Sequence, residues 1–384
     1  MTQPLLVGYD AKRIVRNATG LGSYGRTLIR DLAALPGLRL RLYAPDEGRP
    51  DLRAQIPDRA NVSLHGPSRF ASRLPFYPSY WRTRAIVADL RRDGVQVFHG
   101  LSGELPLCIG GSGIKSVVTI HDLIFLRHPE YYNKVDVKLY AWKFRTACRE
   151  ADRIIAISER TRQDIVELGG VSPDRIDLIY QSCSPRFAAD VPPDAAADVV
   201  RRYALPRRFI LSVGTIEQRK NILQAVQALP HLPADVHLVA VGRATPYSRS
   251  VLRAADRAGL SPRVHFLHGV PDADLQALYQ LADAFVYPSR YEGFGIPVIE
   301  AIHSGLPVVA ATGSCLEEAG GPDSLYVSPD DPQALAAAVR RVLRGAPERD
   351  ARIARSRAYV RRFEGIDVAS QVAEVYRRLS EFPA

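Results

Sequence analysis

The feature that most constrains the fold is a regular alternation of short apolar runs with amphipathic helical patterns along most of the chain. In the first half, β-branched apolar runs predict strands at 5–9, 38–43, 95–99, 116–120, 153–157 and 176–180. The patterns between them predict helices at 23–35, 80–92, 135–151 and 159–168. Strands that alternate with helices in this way are typical of a parallel sheet covered on both faces.

The alternation breaks at 186–206, a segment rich in Pro and Ala that predicts a linker. Beyond it, a second series predicts strands at 209–213, 236–241, 264–267, 284–287, 307–310 and 325–327. Helices are predicted at 221–229, 248–258, 272–282, 297–303, 332–343 and finally 368–379. The sequence therefore predicts an α/β protein in which two doubly wound, Rossmann-like domains face a central cleft.

Composition places the chain among ordinary globular proteins, with 46% hydrophobic and 24% charged residues. No uninterrupted apolar run approaches the roughly 20 residues that a membrane-spanning helix needs. The N-terminal sequence has neither a basic region nor a long apolar stretch, so a signal peptide is not expected. We therefore expect a cytoplasmic protein, with peripheral contact at the inner face of the membrane as a further option.

Positive charge is concentrated in the first half of the chain. Residues 1–185 carry 27 Lys and Arg against 19 Asp and Glu, whereas 186–384 carry 24 against 22. The excess suits an acidic partner such as anionic lipid, phosphate or nucleic acid, and a solvated basic surface explains it equally well. Within this half, residues 69–92 hold six arginines, one acid and several aromatics. That segment suits a peripheral membrane contact or an ordinary helix with snorkelling arginines.

The strongest functional signal is the segment 289–300, which reads Ser-Arg-Tyr-Glu-Gly-Phe-Gly-Ile-Pro-Val-Ile-Glu. It follows the predicted strand 284–287 and opens a helix near Pro297, a favoured first-turn position. Backbone amides at such a helix start bind anionic or hydroxyl-bearing groups. Glu292 in the turn and Glu300 in the helix can accept hydrogen bonds from different hydroxyls of one ligand, such as a sugar or ribose.

Two further sets of polar residues follow predicted strands. Arg219 and Lys220 come after the strand 209–213 and just before a predicted helix. Adjacent cations in that place can hold a diphosphate, Arg through its planar fork and Lys as a point charge. His121 directly follows the strand 116–120, where it could donate a hydrogen bond to a substrate hydroxyl. A solvated basic turn and a structural histidine are the alternative interpretations.

Two weaker motifs are interpreted cautiously. Residues 20–25 match Gly-x-Gly-x-x-Gly, but about ten residues separate them from the strand 5–9, where a dinucleotide site needs an immediate turn. A glycine loop leading into a helix can still let a phosphate approach the backbone. Asp272 and Asp274 resemble an Asp-x-Asp metal motif, yet the following helical pattern predicts that Asp272 is an N-cap. No metal site is expected.

These motifs resemble those of a known family. The segment 289–300, Gly-Thr-Ile-Glu-Gln-Arg-Lys-Asn at 214–221 and Thr-Ile-His-Asp-Leu at 119–123 are similar to the retaining GT-B glycosyltransferases. The resemblance is to the bacterial glycogen-synthase-like and mannosyltransferase-like group, of the glycosyltransferase family 4 type. It covers nearly the whole chain, and the segment with the two glutamates is its most specific part.

The resemblance implies two domains and a bridging tail. The acceptor-side domain would span 1–190 and the domain that binds the nucleotide-sugar donor would span 207–365. The final helix, about 366–384, would cross back to the first domain. The aromatic-rich segment that often precedes this helix in the family is reduced here to Tyr-Val-Arg-Arg-Phe at 359–363.

The resemblance also implies a donor site in the second domain. Glu300 would bind the ribose, Glu292 would hold donor sugar hydroxyls, and the backbone near Val270 would meet the base. Arg219 and Lys220 would grip the diphosphate. The backbone beside Glu292 would complete the site through Gly293, Phe294, Gly295 and Ile296.

From the first domain, Gly22 would approach the diphosphate and His121 would face the transferred sugar. Transfer in the family needs no metal and retains configuration at the anomeric carbon. Arg219 and Lys220 would then stabilise the charge on the leaving group. The candidate catalytic residues are His121, Glu292, Arg219 and Lys220.

Within the family, the motifs look most like those of mannosyltransferases of surface-polysaccharide assembly. GDP-mannose is therefore the expected donor, with UDP- or dTDP-glucose-type donors as alternatives. A saccharide or lipid-linked saccharide is the expected acceptor, and no cofactor or nucleic acid partner is expected. Two rival classes are a dinucleotide-dependent oxidoreductase or GT-B-like epimerase, and a non-catalytic module that binds nucleotide sugars or nucleic acid.

Overall fold

A computed structural model describes residues 3–67, 76–364 and 367–381. The chain divides into two compact units, Met1–Tyr180 with Asp367–Ala384, and Gln181–Ile366. The strands of the first unit are β1 (Leu5–Asp10), β2 (Leu38–Tyr43), β3 (Val62–His65), β4 (Val97–Gly100), β5 (Lys115–Ile120), β6 (Arg153–Ala156) and β7 (Ile176–Leu178). Those of the second are β8 (Arg208–Val213), β9 (Val236–Val241), β10 (Val264–Leu267), β11 (Ala284–Tyr287), β12 (Val308–Ala311) and β13 (Leu325–Val327).

Helices flank both sheets. The first unit has α1 (Lys12–Arg16), α2 (Gly20–Leu32), α3 (Pro50–Arg53), α4 (Tyr77–Tyr80), α5 (Ile86–Arg92), α6 (Ile124–Arg127), α7 (Lys134–Glu150) and α8 (Glu159–Gly169). The second has α9 (Pro193–Tyr203), α10 (Ile222–Ala228), α11 (Pro246–Arg257), α12 (Asp272–Leu281), α13 (Ile296–His303), α14 (Leu316–Gly320), α15 (Pro332–Arg340) and α16 (Arg349–Val360). The last helix is α17 (Val368–Glu381).

The first sheet has the strand order β3-β2-β1-β4-β5-β6-β7, and all its described pairs are parallel. Val7 of β1 lies between Leu40 of β2 and Val97 of β4, and all three are at most 1% exposed. Continuous apolar runs form these central strands because helices cover both faces. The sequence did not predict β3, because it is a partly exposed edge strand that reads Val-Ser-Leu-His.

The second sheet has the order β10-β9-β8-β11-β12-β13, again with parallel pairs throughout the described strands. Its core is formed by fully buried residues such as Ile210, Leu238 and Val309. Each predicted strand of the second series is present. The predicted class is therefore confirmed: the chain is an α/β protein with two Rossmann-like domains.

The segment 186–206 is not a simple linker, because it contains α9. Pro193 stands in the first turn of this helix, where a proline lacks only an N–H that has no helical acceptor. Arg202 Nη1 and Tyr203 OH lie 2.5 and 2.7 Å from Asp274 Oδ2 of α12. The two prolines that suggested a break in structure thus lead into a helix that belongs to the second unit.

The last helix, α17, packs within the first unit. Its Val372, Ala373 and Tyr376 are fully buried, and the Tyr376 hydroxyl lies 2.6 Å from His99 Nδ1 of β4. Throughout the described ranges, the chain contains no helix that combines the length and apolarity needed to cross a membrane.

Candidate active site

The second sheet gathers most candidate residues at the carboxyl ends of its strands. Arg219 and Lys220 follow β8, Val270 follows β10, and Glu292 follows β11. Since β10, β9, β8 and β11 are consecutive parallel neighbours, the loops that follow them emerge at one edge of the sheet. Ligands of open α/β sheets bind at this edge.

The turn between β11 and α13 depends on Gly295. This residue has a φ of 110°, in the left-handed region, and a Cβ there would lie 3.0 Å from Leu316 Cδ2. Pro297 then occupies the first turn of α13. The chain therefore starts a helix directly after the turn, and amides at a helix start have no acceptor within the helix. Their partial positive charge favours anionic groups.

Glu292 lies at the centre of a buried charge cluster. Its Oε1 accepts hydrogen bonds from Lys220 Nζ at 2.6 Å and Ser289 Oγ at 2.5 Å, and Arg219 Nη1 lies 2.9 Å away. Burial by itself raises the pKa of this carboxyl group, but the opposing effect of Lys220 and Arg219 is larger and brings the pKa down to about 2. Glu292 is therefore ionised throughout the neutral range.

Arg219 and Lys220 are held in place from several sides. Arg219 Nη1 also donates to the Tyr291 carbonyl at 2.5 Å, and Arg219 Nη2 donates to Glu217 at 2.7 Å. Lys220 Nζ donates to the Tyr287 hydroxyl at 2.6 Å. Burial lowers the pKa of Lys220, against the opposing effect of Glu292. These contacts hold both cations in place through groups of the protein itself.

The cluster is close to electrically neutral. Two carboxylates, Glu217 and Glu292, pair with the cations Arg219 and Lys220. A diphosphate that binds to the cations must therefore share them with Glu292. Such sharing is chemically feasible because Arg offers five N–H donors and Lys three.

Glu300 lies in a different environment from Glu292. Its Oε2 accepts a hydrogen bond from the Tyr279 hydroxyl at 2.9 Å. Burial raises the pKa of Glu300 to about 7, and the Tyr279 hydrogen bond opposes this only in part. The two glutamates that the sequence marked as a pair thus differ in charge at neutral pH, one fully ionised and the other about half.

Sequence reasoning missed the hydroxyl groups that orient the glutamates. Ser289 and Tyr287 belong to the charge cluster, and Tyr279 serves Glu300. Ser289 and Tyr287 lie within or just before the recognised segment 289–300, so their position was a usable signal. Tyr279 reads only as a core residue of α12, and no sequence pattern distinguished it.

Val270 lies in the loop between β10 and α12, partly exposed and directly after Gly269, whose φ is 64°. The prediction that Asp272 caps α12 is wrong. The capping position is Pro271, whose extended backbone lets its carbonyl accept from the Leu275 amide. Asp272 instead forms an ion pair with Arg186 at 2.7 Å. Among the described residues, no three His, Cys, Asp or Glu side chains are grouped as a metal site would require.

His121 lies in the first unit, directly after β5. Its Nε2 is 2.9 Å from the Leu101 carbonyl oxygen, and the Tyr24 ring meets it edge-on with centroids 4.8 Å apart. Burial lowers the pKa of His121 to about 4. Because a carbonyl oxygen only accepts, Nε2 carries the single ring proton of the neutral form. The predicted donation to a substrate hydroxyl would require Nε2 to leave the Leu101 carbonyl, since Nδ1 of this tautomer can only accept a hydrogen bond.

Gly22 lies in the first unit within the first turns of α2, which begins at Gly20. The predicted glycine loop is therefore already helical. A Cβ on Gly22 would lie 1.8 Å from the Asn17 carbonyl oxygen, so the close contact between α1 and α2 requires glycine here. This packing accounts for Gly22 without reference to a phosphate.

His121 also lines a cavity of about 140 Å³ in the first unit. The cavity is mixed in character, with cationic, acidic, hydroxyl and aromatic groups in its wall. Its polar lining residues include Arg13, Ser102, Glu104, His121, Asp122 and Tyr140. Neutral hydroxyl-bearing groups suit such a wall, because it offers both donors and acceptors.

The basic and aromatic segment 69–92 lies partly outside the described residues, which omit 68–75. Of the described part, Trp81 is 2% exposed and donates to Asp89 at 2.6 Å. Arg82 bridges Asp10 and Glu104, at 2.5 Å from each. These residues support the fold, which favours the structural interpretation for the middle of the segment.

Comparison with known proteins identifies the class. Residues 200–359 match the family described as Glycosyl transferases group 1, and residues 18–186 match Glycosyltransferase Family 4. Together the two matches cover most of both units. The chain is a glycosyltransferase with the GT-B fold, of the group 1 and family 4 type.

Mannosyltransferases are among its curated relatives. O-antigen chain mannosyltransferase B of Escherichia coli is 28% identical over 372 residues, which cover 94% of this chain and 96% of that protein. Serotype-specific mannosyltransferase WbdA of Escherichia coli is 32% identical over 273 residues, or 68% of this chain and 33% of WbdA. The match thus covers about one third of the length of WbdA.

Solved structures share the fold over nearly the whole chain. Sucrose-phosphate synthase from Thermosynechococcus elongatus has a TM-score of 0.76 at 22% identity, covering 98% of this chain and 99% of that one. Anabaena HepE, in complex with UDP and glucose, has a TM-score of 0.74 at 18% identity, covering 98% of this chain and 100% of that one. At these identities the likeness concerns the fold alone.

Proposed function

We propose that the protein is a retaining mannosyltransferase that moves mannose from GDP-mannose to a saccharide or lipid-linked saccharide in surface-polysaccharide assembly. The names of the Escherichia coli relatives, O-antigen chain mannosyltransferase B and WbdA, support the sugar and the kind of product. We propose further that transfer needs no metal ion and takes place at the cytoplasmic face of the membrane.

The observation that carries the proposal is the buried cluster of Arg219, Lys220 and Glu292. Residues 72 positions apart in the sequence meet at 2.6 Å, at the sheet edge where α/β proteins bind ligands. Burying three charged groups has a large desolvation cost, and replacing such a set by apolar residues often stabilises a protein. A role in binding a charged ligand explains why the cluster is retained.

In the proposed complex, the donor diphosphate shares Arg219 and Lys220 with Glu292. The two cations stabilise the negative charge that grows on the departing GDP, which is the main demand of a metal-free transfer. Glu292 remains ionised and accepts hydrogen bonds from hydroxyls of the mannosyl group. This arrangement assigns charge stabilisation and sugar recognition to one preformed cluster.

The remaining donor contacts come from the neighbouring loops. Glu300 accepts hydrogen bonds from the ribose hydroxyls, in place of or in addition to that of Tyr279. The backbone near Val270 contacts the base. Support for the diphosphate comes from the turn that starts α13, through Gly293, Phe294, Gly295 and Ile296.

Two residues of the first unit, His121 and Gly22, are assigned the donor contacts that the resemblance implies. For His121, the direction of the hydrogen bond is changed. His121 would meet the transferred sugar, with Nδ1 accepting a hydrogen bond from a hydroxyl. Gly22 would approach the diphosphate through its backbone, in addition to its role in the contact between α1 and α2.

A donor panel tests the proposal. The purified chain would be incubated with GDP-mannose, UDP-glucose and dTDP-glucose, while release of nucleoside diphosphate and the anomeric configuration of any product are measured. We expect GDP-mannose to be turned over fastest, with retention and without loss in EDTA. Turnover of UDP-glucose alone would show that UDP-glucose, and not GDP-mannose, is the donor. Activity that is lost in EDTA and restored by Mn²⁺ would refute metal-free transfer.

The same preparation separates an enzyme from a non-catalytic binding module. Calorimetric titration measures donor affinity in the absence of acceptor, and the donor panel measures turnover. Tight binding of GDP-mannose that is unchanged in Glu292→Gln, with no hydrolysis or transfer to any acceptor, would support the binding module and contradict the transferase.

A further inference from the structure

Helix α7 exposes large apolar side chains on the surface of the first unit. Val135, Leu139 and Trp142 are 72%, 43% and 48% exposed. Their spacing of four and then three residues places them on one face of the helix. The opposite face packs into the unit through buried residues that include Phe144 and Ala147. The apolar face is therefore additional to the one that anchors α7 to its core.

The exposed face of α7 is also basic. Three exposed cations share it: Lys138, Arg145 and Arg149. At 3.6 residues per turn, all three lie within about 60° of Trp142 around the helix axis. The acidic residues of α7 lie farther round, Asp136 at about 120° and Glu150 at about 80°, and Glu150 is held by Arg149 at 3.3 Å. Apolar and cationic side chains thus alternate over one surface.

Helix α11 of the second unit shows the ordinary arrangement. Leu252 is 42% exposed there, but its exposed helix neighbours are polar or charged, among them Ser250, Arg253 and Asp256. Isolated exposed apolar residues of this kind are normal on soluble proteins. By contrast, α7 has three exposed apolar side chains on one face, bordered by cations, and such a surface is unusual.

Two further exposed aromatic residues lie in the first unit outside α7. Phe76 and Tyr80 are 88% and 56% exposed, at the start of the turn that carries Arg82 and Thr83. Trp142 lines one cavity together with Arg82 and Thr83. Arg82 and Thr83 are therefore neighbours of Trp142, and Phe76 and Tyr80 precede them by a few residues in the chain.

We propose that the exposed face of α7 binds the surface of a bilayer that contains anionic lipid. Apolar side chains with flanking Lys and Arg suit the boundary between head groups and acyl chains. Nucleic acid would satisfy the cations but leave Val135 and Leu139 uncovered. A second copy of the chain would bring two basic faces together, which their like charges disfavour.

The two tryptophans of the chain allow a direct test. Trp81 is 2% exposed and Trp142 is 48% exposed, so only Trp142 can change its surroundings on docking. We expect vesicles of phosphatidylcholine with phosphatidylglycerol to shift the tryptophan emission of the full chain to the blue. In Trp142→Phe, vesicle binding should persist while the shift disappears. A shift that persists in Trp142→Phe would overturn the proposed surface.

Vesicle cosedimentation of matched double variants completes the test. Each Lys or Arg near an anionic surface contributes about fivefold to binding, so Lys138→Ala with Arg145→Ala should reduce partitioning about 25-fold. Val135→Ser with Leu139→Ser should also reduce it strongly. The control Leu252→Ser with Arg253→Ala, of similar exposure on α11, should leave it unchanged.

Three results would contradict the proposal. The first is equal loss in the α11 control, which would show that the effect is not specific to α7. The second is an absence of vesicle binding by the unaltered chain. The third is a dimer in solution that the α7 variants dissociate, which would assign the face to a second copy. Donor turnover, measured without vesicles, should remain the same in all variants, so failure here is distinct from failure of the transferase proposal.

Discussion

The loops that follow β11 in the second unit and β5 in the first unit each hold an ionisable side chain whose pKa is shifted, but only one of the two side chains is charged at neutral pH. Glu292 is surrounded by Arg219, Lys220 and Ser289, and its pKa is held at about 2. His121 contacts the Leu101 carbonyl, and burial lowers its pKa to about 4. At neutral pH the first residue is charged and paired, whereas the second is uncharged.

This difference indicates what each region can bind. A cluster that holds opposite charges in a buried setting can exchange one charged partner for another, as a diphosphate donor requires. A neutral imidazole with a fixed tautomer has one nitrogen that donates and one that accepts, and it does not attract ions. Such a group is suited to forming a hydrogen bond with a sugar hydroxyl. The proposed division between donor and hydroxyl recognition thus follows from how each unit stabilises its buried group.

The largest expected effect is on stability, from Glu292→Ala. The substitution leaves two buried cations without their shared carboxylate, and breaking a buried pair in this way costs about 3–5 kcal/mol. Urea unfolding at pH 7 measures the loss. Glu217→Ala is the matched control, because it removes the other carboxylate of Arg219 at a site that is 39% exposed, and should cost at most about 1 kcal/mol. Equal losses would show that the cluster is not a buried pair.

The next effect is on catalysis, from Lys220→Ala. Removing a preorganised group that stabilises transition-state charge costs about 10²- to 10³-fold in kcat. Arg219 still pairs with Glu292 at 2.9 Å in this variant, so the fold should persist, which circular dichroism would verify. Arg253→Ala, an exposed cation of α11, is the control and should retain full activity. A kcat within twofold of the unaltered enzyme would exclude Lys220 from leaving-group stabilisation.

The sequence predicted where these residues lie better than what they contact. Apolar runs such as 209–213 and 284–287 have the composition of buried strands, so the strand ends that carry Lys220 and Glu292 could be located. Parallel order then implied a shared edge. The polar edge strand β3 and helix α9, which starts after two prolines, were missed because neither has the apolar pattern of its class.

The contacts depend on packing that sequence periodicity does not encode. Nothing in the sequence indicated that Lys220 would reach Glu292 directly or that Tyr279 would donate to Glu300. The same holds for the Leu101 carbonyl that fixes the tautomer of His121. These pairs join residues distant in sequence, and their geometry is set by how helices pack on the sheet.

A smaller effect concerns pH and Glu300. Its pKa is raised to about 7 by burial, and the ionised form is the better acceptor for ribose hydroxyls. Affinity for GDP-mannose should therefore rise about tenfold between pH 6 and pH 8, following the ionised fraction. The ligand used for this experiment is GDP-mannose and not GDP, because the diphosphate of GDP-mannose does not titrate in this pH range. Calorimetric titration across pH would measure the rise, and Glu300→Gln should abolish it. A pH dependence that survives in Glu300→Gln would show that a group other than Glu300 causes it.

The smallest effect is the one expected of His121 between pH 5.5 and 8, where its ring should not titrate. An imidazole with a pKa of about 4 remains neutral in this range, and ¹⁵N NMR should show the proton on Nε2. In the unfolded state, the imidazole of His121 takes up a second ring proton near pH 6.5. Burial of the neutral ring therefore contributes its full stability above that pH, and this contribution is lost as the pH falls towards 4. The contribution of Glu292 is lost only between about pH 4.5 and 2. His121→Asn should therefore reduce the slope of the first part of an acid unfolding curve, where His99, whose pKa burial lowers to about 3, supplies the rest, and Glu292→Gln should reduce the slope of the second part. Loss of both parts in a single variant would show that the two buried groups are not independent.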